Sequence, residues 1–185
     1  MDLSPSHIRF IPVLAVLAAL AIAVTSFSAH AELLPKSAAD FVKDAWNGNS
    51  FEVSSSQLAL ERSKDNDVRA FAQSMINDHG KAGQDLKAAV TASTQADKVS
   101  VPTKLDSKHQ DKLDALKTTS ADFDKKYVDA QNDAHDEAVN LFRDYSKNGD
   151  DTSLKNFATK TLPVLEEHQR KAADLKNTLK KALAK

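Results

Sequence analysis

The sequence predicts an all-α protein, a ferritin-like four-helix bundle with one long crossover. Glycine and proline are scarce, at 4 and 5 residues, and cysteine is absent. Four long segments carry apolar residues at alternating steps of four and three, which is the spacing of a helix face buried in a bundle. The second and third segments are separated by about thirty residues, whereas the other connections are short. A plain up-and-down bundle is the alternative.

The N-terminal segment is predicted to be an export signal rather than part of the bundle. A polar start is followed by the apolar run 10–24, and Ala29-His30-Ala31 has small residues at the positions that signal peptidase recognises. The run is shorter than the roughly 20 residues that span a bilayer. We therefore assign 1–31 to a cleaved signal peptide and 32–185 to a single domain, which is periplasmic or secreted without stable membrane insertion. An uncleaved anchor is the alternative.

The first two long helices are predicted to form an antiparallel hairpin. A capping box at Ser37 starts the first helix, which runs to about Arg62. The short polar stretch 63–66 then caps a second helix that runs to about Thr91. Gly48 lies on the buried face of the first helix, where it indicates a close helix approach or a local bend.

The rest of the chain is predicted to form a short extra helix and two further long helices. The extra helix covers 105–116, where His109 has charged neighbours and is expected to face solvent. The third long helix ends at Gly149, which is typical of a left-handed C-terminal cap. The fourth begins in the acidic stretch 150–153 and contains Pro163, which we expect to kink it.

Charge and motifs exclude several classes of function. The net charge of -1 mixes both signs along the chain, so the sequence indicates no nucleic-acid partner. It contains no glycine-rich phosphate loop, no His-Glu-x-x-His helix and no serine nucleophile elbow. We therefore assign no catalytic residue and favour a protein that is not an enzyme. The sequence specifies neither a protein partner nor an oligomeric state.

Each long helix carries one potential metal ligand near its midpoint. At about 1.5 Å per residue, each of these residues lies roughly 20 to 25 Å from the start of its helix. Because the helices have similar lengths, we expect the four side chains to meet at one level of an otherwise apolar core. The four residues are Glu52, His79, His135 and His168.

Burying four such groups is costly unless they are paired, and two arrangements would pair them. One is a metal-free network in which Glu52 accepts a hydrogen bond from a histidine and Tyr127, Ser55, Gln131 and trapped water complete the pairing. The other is a mononuclear metal site with these four residues as ligands, surrounded by Asp78, Tyr127 and Gln131. A site for a different ligand or a small molecule is a further alternative. Three imidazoles and one carboxylate suit zinc, iron or manganese, with copper less favoured because no thiolate is present. The paired Glu-x-x-His steps of di-iron bundles are absent.

Several motifs of the chain resemble those of a known bacterial family. They include Val68-Arg69-x-Phe71-Ala72-x-x-Met75-x-x-Asp78-His79 and Phe157-Ala158-x-x-x-Leu162-Pro163-x-x-x-x-His168. From about 37 to 179 the chain is similar to the family called domain of unknown function 4142. This resemblance implies an exported, ferritin-like helical domain of unassigned role. It also implies that the characteristic polar residues are Glu52, Asp78, His79, Tyr127, His135 and His168.

We therefore expect an exported helical bundle that binds one transition metal at its centre and acts in envelope stress. A redox-active metal with an open coordination position would extend this role to defence against reactive oxygen species. The alternative is a structural or interaction protein of the envelope, whose central residues form only a buried polar network.

Overall fold

The computed structural model describes Met1 and residues 36–183, and within them it contains five helices and no strand. The helices are α1 (Ala38–Arg62), α2 (Asn66–Thr91), α3 (Ser107–Thr118), α4 (Phe123–Asn148) and α5 (Thr152–Leu183). This confirms the all-α prediction, including the short extra helix between the second and third long helices. The predicted signal peptide lies, apart from Met1, outside the described residues, so its cleavage and the single-domain assignment stay predictions. Within the described part, no helix has the length and apolar character needed to cross a bilayer.

The four long helices form a bundle in which each packs chiefly against two others. Both α1 and α5 pack against α2 and against α4. One core cluster joins the starts of α1 and α5 to the ends of α2 and α4, and a second cluster joins the opposite ends. The long helices therefore run up, down, down, up, while α3 packs on α1 and α4 within the long connection. The finer classification as ferritin-like stays a prediction.

The starts of α1 and α2 carry side-chain caps, whereas the start of α4 has none. Ser37 Oγ accepts a hydrogen bond from Asp40 N at 3.2 Å, and Asp65 Oδ1 accepts one from Val68 N at 3.0 Å. Such oxygens pair amides that the first turn of a helix leaves free. These local signals explain why the starts of α1 and α2 could be predicted closely.

Asp151 ties the start of α5 to the end of α2. Its Oδ1 accepts a hydrogen bond from Leu154 N at 2.9 Å, while its Oδ2 accepts from Ser93 Oγ at 2.8 Å and from Thr94 N at 3.1 Å. Burial of this residue, which is 2% exposed, opposes its ionisation. The hydrogen bonds outweigh burial and lower the pKa of the carboxyl group, so the ionised form is the stable one.

We expect Asp151→Ala to lower the free energy of unfolding at pH 7 by about 2–3 kcal/mol, because it removes a charged cap. The folded pKa lies below the usual 3.8, so the contribution is present above that value and is lost as pH falls through the folded pKa. Urea unfolding at neutral and at strongly acidic pH measures the loss of stability and its dependence on pH. Asp67→Ala, which removes an exposed acid from the first turn of α2, is the control and should cost less than about 1 kcal/mol. An equal loss at both pH values would contradict the ionic role.

The structure contradicts the left-handed cap predicted at Gly149 and the close helix approach predicted at Gly48, whereas the alternative of a local bend at Gly48 stays a prediction. Gly149 has a φ of -59°, so the predicted left-handed cap is wrong. Glycine is needed there because a Cβ would lie 2.6 Å from the Tyr145 ring. Gly48 does not mark a close helix approach, because a Cβ there would meet nothing within 4 Å. The close approach of α1 and α2 occurs at Gly83, where a Cβ would lie 3.1 Å from the side-chain nitrogen of Asn49.

Candidate metal centre

The structure brings together the four residues predicted for the middle of the bundle. Glu52 comes from α1, His79 from α2, His135 from α4 and His168 from α5, and none is more than 3% exposed. One ring nitrogen from each histidine lies within 4.8 Å of the corresponding atoms of the other two. Three potential ligands from three helices thus converge on one buried point.

His79 is held through its Nδ1 atom. This atom lies 3.1 Å from Glu52 Oε2 and 3.1 Å from Asn49 Oδ1. Both oxygens come from α1, where residues three positions apart share a helix face, and the one of Asn49 is the hydrogen-bond partner. The absent side chain of Gly83 leaves room for the Asn49 amide next to α2. On the other side of the ring, His79 Nε2 lies 3.3 Å from His168 Nδ1, so this nitrogen faces the cluster.

His135 and His168 are each held through one ring nitrogen in a similar way. His135 Nδ1 donates to the main-chain oxygen of Gln131 at 2.8 Å. His168 Nε2 lies 2.9 Å from Oδ2 of Asp78, a residue whose side chain is 47% exposed. An acceptor on one ring nitrogen orients the ring and leaves the lone pair of the other nitrogen for a metal.

Three buried polar atoms at or beside the centre have no hydrogen-bond partner among the described residues. They are His135 Nε2, Glu52 Oε1 and Gln131 Oε1. Glu52 Oε1 lies 3.5 Å from His135 Nδ1, but that nitrogen donates its proton to Gln131. Buried polar atoms are nearly always paired, so unpaired ones call for an explanation. A metal would bind to the free imidazole nitrogen of His135, and the donor set therefore fits a metal.

Burial determines the charge of these groups. It lowers the pKa of all three histidines, and that of His135 falls to about 4. Each imidazole is therefore neutral at pH 7, which is the form that binds metals. Burial, together with the negative charge of Glu137, raises the pKa of Glu52 to about 8. Glu52 consequently retains its proton at neutral pH when no metal is bound.

The predicted surrounding residues lie at different distances from the three rings. Asp78 contacts His168 directly, whereas Gln131 contributes its main-chain oxygen rather than its amide. The Gln131 amide donates to Ser55 Oγ at 2.8 Å. The Tyr127 hydroxyl lies 2.8 Å from Ser56 Oγ, and no other hydrogen bond of this hydroxyl occurs in the part that the structure describes. Tyr127 is thus a core residue near the centre rather than a partner of the histidines.

His109 is not exposed, and that prediction is wrong. Its side chain is only 12% exposed and its Nδ1 lies 2.7 Å from Asp106 Oδ1. The ring lies near Phe51 of α1, with 6.1 Å between ring centroids. Charged neighbours in sequence do not reveal such a contact, because they occupy other faces of the short helix. His109 is not one of the three clustered histidines.

Comparisons with known proteins give one family and one similar fold. A family model described as "Domain of unknown function (DUF4142)" matches residues 23–175. Among solved structures, the chain is similar to "CopM in the Cu(II)-bound form", with 15% sequence identity and a TM-score of 0.65. The similarity covers 79% of this chain and 99% of CopM, and at this identity it supports the helical fold alone. No curated protein matches the chain.

Proposed function

The chain belongs to the family described as Domain of unknown function (DUF4142), and on this premise we propose that it binds one divalent transition metal through His79, His135 and His168. The observation that carries this proposal is the convergence of three buried ring nitrogens within 4.8 Å. The opposite nitrogen of each ring has its own acceptor, which is the arrangement typical of metal-bound histidine.

We assign Glu52 to an orienting role rather than to the metal itself. Its Oε2 contacts His79 Nδ1, on the opposite side of the ring from the nitrogen that faces His168. A carboxylate at that position fixes the tautomer of the ring and increases its basicity toward a metal. The four-ligand set expected from the sequence therefore becomes a three-histidine set in our proposal, with Asp78 and the Gln131 main-chain oxygen orienting the other two rings.

Copper(II) and zinc are the metals that best suit this site. Imidazole ligands accept both, and the affinity of divalent metals for nitrogen sites is greatest for copper(II). The sequence favoured zinc, iron or manganese over copper. The similar bundle was solved with Cu(II) bound, which supports placing copper beside zinc. If export occurs as predicted, the metal would be held outside the cytoplasm, where a role in envelope stress or oxidative defence would follow from its redox activity.

A metal-free polar network explains the centre less well. Among the described residues it offers no protein partner to His135 Nε2 or Glu52 Oε1, so it requires trapped water at both atoms. A bound metal would use the first of these atoms directly. The unpaired nitrogen therefore favours the metal site over the structural alternative.

Elemental analysis of protein purified without an affinity tag or chelator tests the proposal. We expect about one equivalent of copper or zinc per chain, since the three nitrogens converge on one point. His135→Ala should lose this metal while keeping a helical circular dichroism spectrum. His109→Ala is the matched control, because it also removes a largely buried histidine that contacts a carboxylate. Wild-type protein that contains no metal and takes up no added zinc, copper, manganese or iron would overturn the proposal.

Tyr127→Phe should lower the stability of the protein without changing its affinity for metal. The substitution removes the hydrogen bond with Ser56 and should lower the free energy of unfolding by about 1–2 kcal/mol. We expect metal affinity to stay within about twofold of wild type, because the hydroxyl contacts none of the rings. Chemical denaturation and a competition titration with zinc measure the two quantities. A tenfold loss of affinity would instead place Tyr127 in the metal site.

A further inference from the structure

The neutral ring of His79 has two tautomers, and only one of them leaves a lone pair for a metal at the cluster. His79 Nδ1 faces the Oδ1 atom of Asn49 at 3.1 Å, and His79 Nε2 faces His168 Nδ1 at 3.3 Å. A neutral imidazole carries its single proton on one of its two nitrogens. Because a metal at the cluster needs the lone pair of Nε2, the tautomer that binds metal has its proton on Nδ1.

His168 favours the other tautomer of His79. The Nε2 atom of His168 lies 2.9 Å from Oδ2 of Asp78, and a carboxylate oxygen accepts the proton of that nitrogen. The Nδ1 atom of His168 is therefore an acceptor that faces His79 Nε2. In the absence of metal, a proton on His79 Nε2 would pair these two nitrogens and block the lone pair that a metal needs. The tautomer that binds metal thus requires a competing acceptor at His79 Nδ1.

Asn49 supplies this competing acceptor. Two oxygens lie 3.1 Å from His79 Nδ1, one from Asn49 and one from Glu52, and the one of Asn49 is the hydrogen-bond partner. A carboxyl group presents a lone pair or a proton, depending on its ionisation. The amide oxygen of Asn49 carries no proton, so it is an acceptor whether or not Glu52 is ionised.

Gly83 provides the space in which the Asn49 amide lies. It is buried in α2, and a Cβ at this position would lie 3.1 Å from the amide nitrogen of Asn49 and 3.6 Å from Cζ3 of Trp46. Trp46 and Asn49 are three positions apart, so they share the face of α1 that packs on Gly83. At 3.1 Å an added methyl group shifts its neighbour by a few tenths of an ångström. The shift alters the contact between Asn49 and His79.

We propose that Asn49 is a positioning residue that holds the proton of His79 on Nδ1, and that Gly83 acts on the metal site through Asn49. This inference rests on the proposed metal site and names a residue that tunes its affinity. Asn49 acts beside Glu52, which contacts the same nitrogen. Groups that orient a metal-binding imidazole typically contribute about 10–100-fold to metal affinity.

Long-range proton–nitrogen NMR correlations of the metal-free protein at pH 7 determine which nitrogen of His79 carries the proton. We expect it on Nδ1 in the wild type and on Nε2 in Asn49→Ala, because the hydrogen bond to His168 then has no competitor from the Asn49 oxygen. Asn140→Ala is the matched control, since Asn140 is exposed on α4, and it should keep the wild-type pattern. A merely structural role of Asn49 would leave the tautomer of His79 unchanged.

A competition titration with zinc measures the effect on the metal site. Asn49→Ala should weaken zinc binding by at least about tenfold, and Gly83→Ala by at least about threefold. In the double variant, the second substitution should change the affinity by less than about twofold, because the methyl group has no amide to displace. Gly80→Ala is the control for Gly83→Ala, since Gly80 is exposed on α2 and its Cβ would meet nothing within 4 Å.

Three results would each overturn the proposal: a wild-type His79 with its proton on Nε2, a zinc affinity that Asn49→Ala leaves unchanged, or effects of the two substitutions that add in the double variant. The NMR measurement uses metal-free protein, so it locates the proton of His79 even if the wild type binds no zinc. A failure of the metal site is therefore distinguishable from a failure of this role of Asn49.

Discussion

Glu52→Gln should make the metal-free protein more stable at pH 8. Burial raises the pKa of Glu52 from 4.5 to about 8. Between these values the unfolded chain binds fewer protons than the folded protein, so the stability of the wild type falls as pH rises through this window. At about 1.4 kcal/mol per pKa unit, the loss is on the order of 5 kcal/mol. The glutamine side chain of the variant is neutral across this pH window, so the variant avoids this loss of stability.

The same substitution should weaken metal binding by about 10–100-fold. A metal on His79 Nε2 requires the ring proton to be on Nδ1, the atom that lies 3.1 Å from Glu52 Oε2. A carboxylate accepts this proton more strongly than an amide does. Glu52 thus destabilises the metal-free protein and supports the metal-bound one. A residue that served only packing would not shift stability and affinity in opposite directions.

Thermal unfolding in chelator at about pH 5 and pH 8, followed by competition titrations with zinc and copper(II), measures both effects. Glu61→Gln is the control, because Glu61 is exposed on the same helix. It should change stability by less than about 0.5 kcal/mol. A Glu52→Gln variant that is less stable than wild type at pH 8, or that binds metal equally well, would contradict this role of Glu52.

The convergence of the histidines could be expected from the sequence because helix periodicity reveals which residues are buried. His79 and His168 lie on faces with regular steps of four and three, and similar helix lengths place them at one level. The orientation of each ring could not be predicted in this way. It depends on acceptors from other helices, such as Asp78 for His168, and a helix pattern contains no information about rotamers across a bundle.

The contact that orients the His79 ring and the cavity beside it could not be predicted from the sequence for a related physical reason. Asn49 follows Gly48, for which the sequence indicated only a close helix approach or a local bend, yet the Asn49 side chain reaches His79 because Gly83 leaves space on the neighbouring helix. Gly48 itself lines a cavity, which neither of its predicted roles included. The cost of glycine within one helix can be estimated from sequence, but the space it leaves depends on how the neighbouring helices pack.

Metal should stabilise the wild-type fold, because the three histidines come together only in the folded bundle. At a free zinc concentration about 1,000 times the dissociation constant, we expect the free energy of unfolding to rise by about 4 kcal/mol. His135→Ala leaves a hole in the core and is less stable without metal. The informative quantity is therefore the rise in the free energy of unfolding when zinc is added. This rise should be nearly absent in His135→Ala and should equal that of wild type in His109→Ala.

Urea unfolding with and without buffered zinc measures this gain for each protein. A gain that persists in His135→Ala would place the metal elsewhere, and a wild-type protein that gains nothing would contradict a site specific to the folded state. The gain reports the difference in metal affinity between the folded and unfolded chains. Acceptors hold one nitrogen of each ring, so little ordering cost is subtracted from the metal affinity of the folded protein. We expect the gain to fall short of the full value set by the dissociation constant only to the extent that the unfolded chain also binds zinc.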